Sequence, residues 1–120
     1  MKNAALFLLT IFLVSCAKDS ETTYSTSADS AFLSITRNTT ESELVKIAAQ
    51  FKLDRNISID FSDSEFGENG KIQNLKLEVD CNDGYNGHVK VSGAALQLKN
   101  SGFRRDYSEN AEQAFSIGVI

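Results

Sequence analysis

The stretch "TTESELVKIAAQFK", residues 39–52, limits this chain more than any other. Leu44, Ile47, Ala48 and Phe51 fall at i, i+3, i+4 and i+7, a single apolar stripe on a helix, with Lys46, Gln50 and Lys52 off it. Thr40 and Glu43 are spaced as a capping box, the hydroxyl serving an orphan amide and the carboxylate reaching back. Asp54-Arg55-Asn56 ends the element. A lone helix with one apolar face must cover something, and the flanking segments supply a sheet.

Before the helix, Ala31, Leu33 and Ile35 alternate with Phe32 and Ser34, a short strand. After it, Ile57, Ile59 and Phe61 alternate with Ser58, Asp60 and Ser62, and Leu75, Leu77, Val79 and Cys81 repeat the pattern. "GENGK" turns between these runs. Pairing residues whose numbers sum to 138 sets Ile59 against Val79, Phe61 against Leu77, Ile57 against Cys81 and Phe66 against Ile72. That register selects a three-residue loop, Glu68-Asn69-Gly70, with Gly70 left-handed. A two-residue loop would set Phe61 against Glu78. Phe66 and Ile72 have the opposite parity to the pairs nearer the base, so the tip must twist or show an apolar spot on the other face. Packing against the C-terminal tail would cover that spot; otherwise Phe66 and Ile72 are the candidate partner contact.

"NDGYNG" returns the chain to a strand through Val89 and Val91, ending at Ser92-Gly93. The expected fold is α+β, a single small β-α-β-β-β domain over residues 31–93 with the helix on an antiparallel-dominated sheet. Residues 94–120 read as an irregular segment. Ala95, Leu96 and Leu98 suit a strand or a helical turn, "KNSGFRRDYSENAEQ" a polar loop, and "AFSIGVI" an edge strand.

At the N-terminus, Lys2 precedes Ala4 to Val14, eleven residues of which only Thr10 is polar. That is a secretory signal pattern, too short for the roughly 18 to 20 apolar residues of a spanning helix. Leu13-Val14-Ser15-Cys16 resembles a bacterial lipobox. The resemblance implies removal of residues 1–15, diacylglycerol on the Cys16 sulfur and an acyl chain such as palmitate on its new amino group. An ordinary signal peptide cut near Ser15, leaving Cys16 a plain thiol, is the alternative. With Cys16 lipidated, Cys81 has no disulfide partner and reads as a small buried apolar residue. Residues 17–30 hold seven Ser or Thr in fourteen and no apolar period. Residues 16–30 are therefore expected to be a flexible tether with an end-to-end distance of roughly 20 Å. Ala17, rather than Asp, after the cysteine fits outer-membrane sorting, facing the periplasm or the cell surface.

Net charge is −4, and −5 without Lys2. The basic footprint that displaces counterions from nucleic acid is missing. Asp60, Asp63, Glu65 and Glu68 crowd one hairpin arm, and Asp80, Asn82 and Asp83 a turn, but neither continues to a full calcium loop. His88 is the single histidine, near Cys81 across the same turn, with no third group to orient it and no nucleophile elbow in the chain. Arg104-Arg105 reads as a solvated pair in a polar loop.

The run "ITRNTTESELVKIAAQF", then "FSDSEFGENGKIQNLKLEV", then "GHVKVSG" resembles a small module of Bacteroidetes, found at the extracytoplasmic C-terminus of beta-lactam-sensing antirepressor-type membrane metallopeptidases. The resemblance covers about residues 34–93; HExxH is lacking, so proteolysis does not carry over. It implies a free-standing, lipid-anchored accessory or sensory module. The expected function is thus a non-catalytic envelope lipoprotein, held to the membrane by Cys16, with an envelope protein as partner and no cofactor or metal. The alternative is an inhibitor or immunity-type lipoprotein. A small hydrolase would need His88 joined to a nucleophile.

Overall fold

The computed structural model describes residues 21–120; Cys16 and its lipobox, Leu13, Val14 and Ser15, lie outside that range. The described residues form an α+β fold, with two helices and antiparallel strands among them. Helix α1, Glu41–Arg55, begins on the full capping box: Glu43 N donates to Thr40 Oγ1 at 3.2 Å, and Thr40 N donates to Glu43 Oε1 at 3.0 Å. It ends at Asn56, left-handed at φ 57°. Leu44, Ile47 and Phe51 are buried and Ala48 half-buried, as the stripe requires.

Two sheets divide the strands. The first has the order β1-β2-β7-β8, from Thr23–Thr26, Ser30–Ile35, Ser101–Asp106 and Phe115–Val119. The second centres on β5, Ile72–Asp80, which pairs with β3 (Ser58–Asp60), β4 (Glu65–Phe66) and β6 (Asn86–Val91). A short helix α2, Gly93–Leu98, follows β6 on a Ser92 cap. The core joins both sheets to α1. Phe51 sits 5.3 Å from Phe103 and 5.8 Å from Tyr24, ring centre to ring centre, in one buried cluster with Leu33, Ile57, Leu77 and Val79.

The predicted register is present in Ile59 opposite Val79 and Phe66 opposite Ile72. Phe61 and Ile57 fall outside the three paired rungs of β3, because the chain turns away at Phe61, whose carbonyl accepts from Ser64 N at 3.0 Å. The three-residue loop Glu68-Asn69-Gly70 closes between Gly67 N and Lys71 O at 2.9 Å, with Gly70 at φ 81°. The parity conflict at the tip is resolved by a bulge. Glu65 pairs with Asn74 while Phe66 pairs with Ile72, leaving Gln73 as the extra residue on β5. Gln73 and Asn74 are both exposed, and Ile72 swings back to the core face.

Three expectations need correction. Residues 23–26, assigned to a flexible tether, form β1. Its backbone pairs with β2, Tyr24 packs on Phe51, and Thr26 Oγ1 donates to Asp54 at 2.7 Å. The folded unit therefore begins before residue 31. Residues 101–106, assigned to a polar loop, are the inner strand β7, and the edge strand expected in "AFSIGVI" lies beside it as β8. The single sheet is two.

Candidate functional site

The elements raise two polar constellations. One is buried at the end of the molecule where α1 finishes. Arg105 on β7 reaches the turn between β5 and β6, where its Nη2 and Nε donate to Asp83 Oδ2 at 2.8 and 3.0 Å. Its Nη1 donates to the carbonyls of Asp106 and Ala114 at 2.6 and 3.1 Å. The guanidinium lies over the rings of Tyr85 and Tyr107, 4.4 and 4.5 Å from their centres, and Arg55 lies over Tyr107 at 4.3 Å. Burial alone would weaken the hold of Arg105 on its proton, but the Asp83 hydrogen bond and charge raise it above the ordinary value. All three nitrogens of this guanidinium donate within the protein, so it clamps two sheets together. The sequence missed it because its carboxylate lies 22 residues away. Arg104, by contrast, points out and stacks on Phe32 at 4.8 Å.

The other constellation is the open face of β3, β5 and β6. Strand alternation turns Leu75, Leu77 and Val79 inward and Lys76, Glu78 and Asp80 outward. On that face Lys76 stands opposite Lys90, Glu78 opposite His88 and also opposite Asp60, and Asp80 between Ser58 and Asn86. Like charges directly opposite one another destabilise a sheet. The face has two shallow depressions. One, about 440 Å³, is lined by Ser58, Asp60, Glu78, Asp80, Asn86 and His88. The second, about 350 Å³, includes Lys76, Lys90, Asp63, Glu65 and Asn74. The carboxylate of Asp60 is held below the usual range by the backbone N–H of Ser62, at 2.9 Å, and by the Ser62 hydroxyl, at 2.7 Å. It is therefore an anion throughout the neutral range. An acidic end and an end of mixed charge, where Lys76 and Lys90 lie beside Asp63 and Glu65, thus share one uncovered surface.

Sequence-derived candidates fall as follows. Ile72 is only 5 % exposed, so it is withdrawn as a partner contact; the Gln73 bulge turns it inward. Phe66 is half-buried, edge-on to Phe61 at 6.2 Å. Cys81 and His88 do not meet as a pair. Cys81 is buried in the core, whereas His88 is exposed on the outer face. Burial, with the nearby carboxylates of Asp83 and Asp80, pushes the Cys81 thiol up to about 11, against the opposing pull of Arg105. Among the described residues no three His, Cys, Asp or Glu side chains group as a metal site, and no helix is long and apolar enough to cross a membrane.

No protein-family model, curated protein or solved structure matches this chain.

Proposed function

We propose that this protein is a non-catalytic envelope lipoprotein, tethered through Cys16, whose α+β domain binds an envelope protein partner through the open face of β3, β5 and β6. The observation that carries the binding role is the pairing of Lys76 with Lys90 and of Asp60 with Glu78 on an uncovered sheet. Each pairing opposes stability of the free domain, and each becomes favourable when a partner presents the opposite charge. The buried, hard-to-ionise Cys81 is a poor nucleophile, and it faces away from His88. The resemblance of residues 34–93 to an extracytoplasmic accessory module supports the same reading, as does the lipobox for the envelope address.

Crosslinking in the native envelope, with wild type and with Lys76→Glu/Lys90→Glu, tests the binding role. A discrete crosslinked partner that is lost in the charge-reversed variant is the expected result. Equal recovery of the same partner with both proteins would remove the open face from the interface.

A further inference from the structure

Leu98, Val119 and Ile120 are 83, 65 and 41 % exposed, and their segments meet at one end of the first sheet. Val119 pairs with Ser101, Ile120 N donates to the carbonyl of Asn100 at 3.1 Å, and Leu98 closes α2 just before Asn100. The chain enters the domain at the same end. Thr23 pairs with Ser34, and its neighbour Ile35 pairs with Ser101. Entry strand β1 and the patch on β8 are three strand spacings apart, about 14 Å.

We propose that this end of the domain rests on the lipid bilayer, with Leu98, Val119 and Ile120 seated in the headgroup interface. The inference rests on the lipid-anchor reading and adds to it an orientation. Because β1 draws Thr23 into the sheet, only six peptide steps separate Cys16 from Thr22, a span of at most about 22 Å. A leash this short keeps the patch at high effective concentration over the membrane, so a weak apolar contact suffices to hold it there. Charge sets the same orientation. At the patch end Arg37, Lys71 and Lys99 offset all but one of Glu21, Glu41, Glu43 and Glu68. The opposite end carries Asp29, Asp54, Asp106, Glu109 and Glu112 against Arg55, while Asp83 and Arg105 neutralise each other. Anionic headgroups repel that acidic end. The β5 strand then runs away from the membrane, with Lys76 nearer the lipid and Asp80 farther from it, and the open face is presented sideways.

The test uses the full lipidated protein in phosphatidylethanolamine–phosphatidylglycerol vesicles, with a nitroxide on Leu98→Cys or on Glu112→Cys. Cys81, buried, stays unlabelled, as unmodified protein checks. Flotation with the vesicles reads the anchor; accessibility to a water-soluble nickel quencher reads the seating. The expected result is flotation of both, with the label at 98 quenched several-fold less than that at 112. Flotation with equal quenching at the two positions, as a protein partner on the patch rather than lipid would give, overturns the seating alone. Failure to float overturns the anchorage and the seating with it.

Discussion

Arg105 and Asp83, 22 residues apart in the chain, meet at 2.8 Å where the strand β7 of one sheet faces the β5–β6 turn of the other. The guanidinium also holds two backbone carbonyls and lies over two tyrosine rings, so one side chain ties together three segments: the end of β7, the β5–β6 turn and the approach to β8.

Arg105→Ala should therefore cost about 2–3 kcal/mol in urea unfolding. This is less than a fully buried pair would lose, because Asp83 is partly in water. Arg105→Lys should recover only part of the loss, since an ammonium cannot reproduce the fork to Asp83 together with both carbonyl contacts. Full recovery by lysine would show that the charge alone matters.

Gly102→Ala should be among the most damaging single-methyl changes in the domain. A Cβ there would stand 1.8 Å from the Leu33 carbonyl oxygen, in backbone that cannot move without parting β2 from β7. We expect a loss of at least about 3 kcal/mol, against about 1–2 kcal/mol for Gly70→Ala, which meets no atom but must hold a left-handed backbone. Thermal melts of the two variants make the comparison.

The Cys81 thiol should resist a disulfide reagent at pH 8 until the protein unfolds, because it is buried and its proton leaves only near pH 11. Rapid reaction in native buffer would contradict the packing around it.

Acid should weaken the fold from about pH 4 downward. The carboxyls of Asp60 and Asp106 sit below their ordinary value in the folded protein, through the backbone and hydroxyl hydrogen bonds of Ser62 and Ser108 respectively. A lowered folded value means that the unfolded chain binds protons first. The stabilisation is whole above the unfolded value and fades as pH falls through the folded one. Replacing both by Asn should flatten the acid limb of a urea-midpoint profile; an unchanged limb would assign it to other groups.

Cys16→Ser should abolish incorporation of labelled fatty acid and leave the precursor uncleaved in the membrane fraction. Normal maturation of that variant would count decisively against the lipoprotein reading.

Local chemistry made much of the fold legible in the sequence. The Thr40–Glu43 box, the Leu44–Phe51 stripe, the Gly70 turn and the Ile59–Val79 register all depend on residues close in the chain or on strict alternation along one hairpin. Even the parity clash between Phe66 and Ile72 was visible; only its remedy, the Gln73 bulge, was not. The candidate site was less legible. Lys76, Glu78 and Lys90 read as ordinary outward positions until β5 and β6 set like charges face to face.

What the sequence determined by itself was the α+β class, one helix and its caps, and the central hairpin, because capping, periodicity and turn geometry act over a few residues. Tertiary structure decided the rest. The polar segment "TYST" became a strand only because β2 offered its edge, and "SGFRRD" became an inner strand only because Gly102 fits against Leu33 and Arg105 finds Asp83. No local pattern encodes a partner 22 residues away; burying a guanidinium becomes favourable only once the fold has brought its carboxylate to it.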